Sequence, residues 1–357
     1  MGKTVRAIMR MQATIGDYPV PTSEAAYLTH SNLIDTATPY GGTLQADGTW
    51  AQAPCLDRPF ARALPSWARQ AGQQYAPFLD PGHGTDGSAI RAVLDDTALQ
   101  QKAAEGAIAL ALARFDAPWD GMLYDALGAA LGDASYHDKQ HDFMGRLSDA
   151  AHRAGLAFAV AFRGIRPEDE SWSSVKLDRI VGVADIFDYY FYAWWLAPCS
   201  TGPYWWNRAG LDNALEHGIR PESIYLGIGN YARYWSAGYK TSQDMTHDQA
   251  MQIASASGAA VNWVEDHPTG LIREKYAAVN DGHLWIQDGD TVKPRLALVD
   301  EYGLGGVMLF IAGMGAESVW DAIAEWKTPA TPDVPEVRAS NPTDFFLEVP
   351  IGAGELA

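Results

Sequence analysis

Residues 117–133 read APWDGMLYDALGAALGD, and the placing of this stretch decides the fold. Trp119, Met122, Leu123, Tyr124 and Leu127 supply apolar bulk over a short run, and Asp120 and Asp125 interrupt it. That is the form of a buried strand running out into a polar loop. A carboxylate in an apolar strand is costly to bury unless something pairs with it. Such a residue tends to stand at the strand end, where a site uses it. Two readings of Asp125 stand side by side. Either it caps the helix that follows, as Asp commonly does, or it lies at the floor of an active or binding cleft.

The same beat recurs on both sides. Toward the N-terminus, residues 4–12 (TVRAIMRMQ) alternate as a first strand. Residues 32–38 form a second apolar run that ends at Pro39-Tyr40-Gly41-Gly42, and 42–50 (GTLQADGTW) carries an Asp-Gly hairpin signal. Residues 75–80 form a third run, which exits into Pro81-Gly82-His83-Gly84. Segments 59–72 and 88–115 between them have helical spacing. Toward the C-terminus, 137–154 is helical, with Phe143, Leu147, Ala150 and Ala154 on one face. Residues 156–162 (LAFAVAF) then form a strand that ends at Arg163. Further strands are expected at 185–192, 223–228 and 306–311, and helices at 209–217, 246–257, 292–302 and 316–326.

Eight strands, each too apolar to have a wet face, predict a parallel sheet covered by helices. The expected class is α/β and the architecture a (β/α)8 TIM barrel. A small β-hairpin insertion (283–286, with a turn at Asp288-Gly289-Asp290) precedes the last strand. A doubly wound open sheet is the alternative, but its Gly-rich phosphate loop after the first strand is missing. Residues 1–327 make up the barrel. Residues 328–357 are a Pro-rich tail whose apolar patch (DFFLEVPI) docks on the barrel or on a partner.

A net charge of −18 and a pI near 4.8 argue against a nucleic-acid surface and against an anionic membrane. No apolar run is long enough to span a bilayer, and no export signal is evident in the sequence as given, so localisation stays open. Cys55 and Cys199 rule out a disulfide framework and are read as packed thiols, with their pairing open. No cofactor or metal is expected. His137 and His141 have metal-gripping spacing without an evident third ligand, and the stretch is read as a solvated helix start.

In a barrel, chemistry sits at the C-terminal strand ends. The residues expected there are Asp35, Asp80, Asp125, Arg163, Tyr192, Asn230 with Tyr231, and Phe310 with Met314. Arg163 leaves an apolar strand, so its charge needs a partner, and Asp125 is the natural one. His83 either lines the cleft or sits in an exposed turn. Residues 189–208 (YYFYAWWLAPCSTGPYWWNR) hold Trp194, Trp195, Tyr204, Trp205 and Trp206, too many to be core in one loop with Pro and Gly. Stacking on a sugar or similar flat ligand is one reading, and oligomer or loop packing the other. Carboxylates with aromatic platforms suit glycoside chemistry.

Four segments share one pattern. Asp120-Gly121-Met122-Leu123-Tyr124-Asp125-Ala126-Leu127 sits in the register of Asp-Gly-x-Asp-x-Asp-x-Glu. Tyr190-Phe191-Tyr192-Ala193 sits at Met-x-Tyr-Asp, Tyr231-Ala232-Arg233-Tyr234-Trp235 at Tyr-Gly-Arg-x-Trp, and Gly305-Gly306-Val307-Met308-Leu309-Phe310 at Gly-Gly-Val-Met-x-Trp. Over about residues 30 to 326 the chain resembles glycoside hydrolase family 18, the chitinase and endo-β-N-acetylglucosaminidase barrels. The resemblance implies a glycosidase-like barrel whose partner is a carbohydrate. Strand-end placement, the aromatic loop and the matched segments together give Asp125, Asp80 and Tyr192 as candidate catalytic residues, and Asp35, Arg163, Trp194, Trp195, Trp205, Tyr231, Arg233 and Phe310 as candidate glycan contacts.

The departures bear on mechanism. The family's general acid falls at Leu127 and its first inner Asp at Leu123, so only Asp125 remains on that face. Leu cannot transfer a proton. The Asp after the sixth-strand Tyr is Ala193, and the last-strand Trp is Phe310. Three readings follow. One is a glycosidase with a rearranged site, in which Asp125 is nucleophile or base and the second acid is Asp80, Asp35, Asp188 or the loop pair Glu265-Asp266. The second is a catalytically inactive glycan-binding barrel. The third is a structural barrel in a larger assembly, such as a phage tail or virion, held through residues 328–357.

Overall fold

The structure, a computed structural model, describes residues 3–9, 14–15, 18–19, 23–52, 58–82, 86–112, 118–126, 134–167, 173, 175–190, 200–236, 242–264 and 274–328. The tail expected at 328–357 lies outside these residues except for Thr328.

Each apolar run resolves into two faces, because successive side chains of a strand point to opposite sides. Val5, Ala7, Leu79, Met122, Tyr124, Phe158, Val160, Leu226 and Val307 face outward, into a core shared with the helices. Ile8, Phe78, Leu123, Ala159, Ala161 and Met308 face inward and pack on one another. Both faces are buried, so most of the runs show little polar alternation; where it occurs, the inward Arg6, Thr36 and Thr38 are buried as well. The strands are β1 (Thr4–Met9), β2 (Thr36–Leu44), β3 (Phe78–Asp80), β4 (Gly121–Asp125), β5 (Ala157–Arg163), β6 (Ile186–Tyr190), β7 (Ile224–Gly229) and β8 (Gly306–Ala312). They pair in parallel in chain order, and β8 pairs with β1 to close the ring. This is the expected (β/α)8 barrel.

Three local features depart from the sequence reading. First, β2 does not end at Pro39–Gly42 but continues to Leu44, where Trp50–Gln52 folds back on it as the expected hairpin. Tyr40 pairs with Phe78 and Gly42 with Leu79, so Gly41 is an extra residue, a β-bulge. Second, the insertion between β7 and β8 is larger than a hairpin. It is a five-stranded antiparallel sheet in the spatial order Ser242–Met245, Ala232–Ser236, Gly282–Ile286, Lys275–Val279, Asn262–Trp263. Helix His247–Ala256 covers one face through Ala250 and Ala254, while Trp235 joins the barrel core. Third, the start of helix His137–Arg153 is buried rather than solvated. His141 Nδ1 bonds the His137 carbonyl at 2.6 Å, and Lys176 N–H donates to His141 Nε2 at 3.1 Å. Burial holds the His141 pKa below its ordinary value.

The insertion is joined to the barrel by a buried ion pair. Arg295, 2% exposed on helix Gly289–Tyr302, donates from Nη2 to Glu274 at 2.6 Å and to the Gly202 carbonyl at 2.5 Å. The same Glu274 oxygen accepts from Tyr204 N–H at 2.8 Å, at the start of helix Tyr204–Glu216.

The N-terminal end of the barrel repeats one device three times. Asp35, Asp120 and Asp185 each stand one residue before an even-numbered strand or at its edge. Each donates its backbone N–H to a carbonyl next door: to Val5 of β1 at 2.8 Å, to Tyr75 of the two-residue strand Gln74–Tyr75 just before β3 at 2.9 Å, and to Phe158 of β5 at 2.9 Å. Each carboxylate then accepts from the N–H of that same residue, at 2.7, 2.8 and 2.8 Å. These reciprocal clamps fix the register where the strands enter the barrel.

Asp120→Ala leaves the Tyr75 N–H without its acceptor and lowers the unfolding free energy by about 1–3 kcal/mol in urea titrations. The exposed Asp149→Ala on helix His137–Arg153 stays within about 0.5 kcal/mol. Glu274→Ala strands the Arg295 charge in the interior and costs about 3–5 kcal/mol by the same measurement.

Candidate active site at the C-terminal mouth

Strands β3 and β4 end in Asp80 and Asp125. Phe78 pairs with Leu123 and Leu79 with Tyr124, so the next pair in register is Asp80 and Asp125. Phe78 and Leu123 face the barrel interior, and the two-residue period carries both carboxyls to that same face. Across β4, Asp125 pairs with Ala161 of β5, which pairs in turn with Asp188 of β6. Asp80 is 3% exposed and Asp125 5%.

A carboxylate this buried needs donors. Gly82 N–H donates to Asp80 Oδ1 at 2.7 Å, and the Tyr40 hydroxyl donates to Oδ2. The Tyr40 hydroxyl also lies 3.2 Å from Thr43 Oγ1. Burial, then the charge of Asp80, then more weakly that of Asp125, push the Tyr40 pKa well above the ordinary tyrosine range. Tyr40 therefore stays a proton-bearing donor. On the outward face of β4, burial and the Asp125 charge likewise raise the Tyr124 hydroxyl.

Arg163 ends β5 two residues beyond Ala161, on the same face and half-buried, diagonal to Asp125. Phe310 on β8 forms a small cluster with Tyr231, Ile311 and Met314, with the Tyr231 and Phe310 rings edge to face at 6.2 Å. Asn230 ties β7 to β8, its backbone N–H donating to the Phe310 carbonyl at 2.5 Å and its Nδ2 to the Ile311 carbonyl at 3.2 Å. Arg233 begins the insertion sheet, 3% exposed, and its Nε donates to Asp244 at 2.9 Å.

Two expected site residues are not brought to the mouth. Asp35 is at the opposite end of the barrel, because β2 begins at Thr36 and runs away from it. Its carboxylate is engaged there by Val5 N–H and by Lys327 Nζ at 2.5 Å. Trp205 is not in an open loop but in the first turn of helix Tyr204–Glu216, which starts directly after Pro203. Trp205 is half-buried against the core, and Trp206 is fully buried with its Nε1 donating to the Gly164 carbonyl at 3.3 Å. Arg166 lies 4.1 Å from the Trp206 ring centre and 5.3 Å from that of Trp205. This half of the aromatic stretch is packing. Tyr192, Trp194, Trp195, Leu127, His83, Cys55, Cys199, Glu265 and Asp266 lie outside the described residues. Among the described residues no cluster of three His, Cys, Asp or Glu is set to hold a metal ion. Nor is any helix among them long and apolar enough to cross a membrane. Tyr40 was missed in the sequence, where its only signal is the Gly41-Gly42 pair that follows it.

No protein-family model matches the chain, and no curated protein sequence does. Solved structures do. A chitinase from Chromobacterium violaceum superposes with a TM-score of 0.75 at 18% identity, over 92% of this chain and 100% of that one. The spore cortex-lytic enzyme SleL of Bacillus megaterium gives 0.72 at 16%, over 91% of this chain and 73% of that one. A group IV chitinase from Ostrinia furnacalis gives 0.71 at 13%, over 91% and 99%. At these identities the likeness is one of fold, and the fold of this chain is a chitinase-like TIM barrel.

Proposed function

We propose that the chain is a glycoside hydrolase that binds its glycan across the C-terminal mouth and cleaves it with Asp80 and Asp125. The observation that carries this reading is the side-by-side register of two buried carboxyls on β3 and β4, one of them held by Tyr40 and Gly82. Glycoside hydrolysis asks for one carboxyl that gives a proton to the leaving oxygen and another that meets the anomeric carbon. Asp80 accepts a hydrogen bond on each oxygen, which suits the nucleophile. Asp125 then gives the proton as the glycosidic C–O bond breaks, and takes one from the water that releases the sugar. This reverses the role expected for Asp125, on the ground that Tyr40 and Gly82 hold both oxygens of Asp80. Neighbouring strands lie about 4.8 Å apart, which favours the short carboxyl spacing of retaining enzymes. Arg163 and Phe310 flank the glycan, with Trp194 and Trp195 as stacking rings. The chitinase-like fold supports a carbohydrate as the partner. Catalytically inactive glycan binding is the second reading, favoured by Leu123, which is fully buried where the related motif has an Asp.

The test is release of reducing ends from chitin, peptidoglycan and plant-type oligosaccharides. The wild-type chain is expected to cleave one of them with retention at the anomeric carbon, read by proton NMR. Asp80→Asn and Asp125→Asn are each expected to lower kcat about 10²–10⁴-fold with the unfolding transition intact. Tryptophan-fluorescence binding without cleavage would leave the binding-only barrel, and neither binding nor cleavage would overturn both readings.

A further inference from the structure

We infer that Tyr40 is a positioning residue for Asp80, aimed by the Gly41 bulge of β2 together with Thr43. The inference rests on the hydrolytic reading of Asp80 given above. In an unbroken strand, residues three apart point to opposite faces. Tyr40 pairs with Phe78, Gly42 with Leu79 and Thr43 with Asp80, so two residues of β2 oppose a single step of β3. The extra residue turns Thr43 to the Tyr40 side, and the two hydroxyl oxygens meet at 3.2 Å. Leu44 is turned outward by the same step and is buried in the outer core. Bulges re-aim side chains in this way beside active sites.

The bulge is also held fast. A Cβ on Gly41 would lie 3.0 Å from the Phe78 carbonyl oxygen and 3.0 Å from Pro77 Cβ. One on Gly42 would lie 3.0 Å from the Ala51 carbonyl oxygen. Chain therefore closes on the two glycines from both sides. The Tyr40 ring rests against Phe78, with centres 5.7 Å apart. These contacts leave the phenol aimed at Asp80 Oδ2, while Gly82 holds Oδ1. With both oxygens held, the Asp80 carboxylate keeps one rotation about its Cβ–Cγ bond. Without Tyr40, the hold on Oδ2 is lost and the carboxylate turns more freely.

The experiment uses the full chain with Tyr40→Phe, Thr43→Val and Thr43→Ser, on whichever oligosaccharide the wild type cleaves. Tyr40→Phe is expected to lower kcat about 10- to 100-fold while KM changes less than about threefold. Thr43→Val is expected to lose less, and Thr43→Ser to stay near wild type. An unchanged kcat in Tyr40→Phe, or a loss seen only in KM, would overturn the inference. A second measurement needs no turnover. Tyr40→Phe is expected to shift the urea midpoint in the wild-type background and to have little effect in the Asp80→Ala background, where no acceptor remains for the phenol. Equal shifts in both would show that the two residues are not coupled and would overturn the inference. Wild type without turnover would overturn the hydrolytic reading and the catalytic consequence with it, while the urea cycle would still decide whether Tyr40 is tied to Asp80.

Discussion

Two carboxyls on neighbouring strands of a barrel interior repel each other when both are charged, and burial removes the water that would damp the repulsion. Asp80 and Asp125 stand in that relation because β3 and β4 pair Phe78 with Leu123 and Leu79 with Tyr124. A slip of one residue would send one carboxyl to the outer face, into the apolar core that holds Leu79 and Tyr124. Much of the mouth is built around keeping this arrangement tolerable. Donors from β2 and from the turn after β3 are supplied to Asp80, and the bulge in β2 brings one of them into reach.

The same residue type does different work at the two ends of the barrel. At the N-terminal end, Asp35, Asp120 and Asp185 are tied into backbone pairs with Val5, Tyr75 and Phe158, and these pairs set the register of three strand couples. The fourth couple has no such Asp. Gly305 N–H bonds the Ile224 carbonyl at that place, and a Cβ there would lie 2.3 Å from the Glu222 carbonyl oxygen, which leaves no room for a side chain. At the C-terminal end, the aspartates face the interior and serve the mouth instead. Which role an Asp takes depends on whether the strand begins or ends at it.

That distinction explains what was legible in the sequence. The eight strands could be read because both faces of each are buried, so the apolar runs stand out against the helices. Asp125 and Asp80 could be read because each ends such a run. Asp35 looks like a strand-end residue in the sequence because the run around it also includes Leu33 and Ile34, and the apolar pattern alone does not mark Thr36 as the first strand residue. The bulge at Gly41 looks like a strand end in the sequence, since Gly-Gly after Pro39 has the composition of a turn, and this hides Tyr40. The insertion sheet shows in the sequence only as one hairpin, because strands such as Ser242–Met245 (SQDM) and Asn262–Trp263 carry little apolar signal. Trp206 has the surroundings of a loop in the sequence because Pro203 has the composition of an irregular segment, whereas it stands directly before a helix.

The central claim is that Asp80 and Asp125 act as one unit. Its most direct test is kcat for Asp80→Asn, Asp125→Asn and the double variant on a single cleavable glycan. Residues that work as a unit are not additive, so the double variant is expected to be no slower than the worse single variant. Losses that multiply, or a single variant as fast as the wild type, would contradict the account.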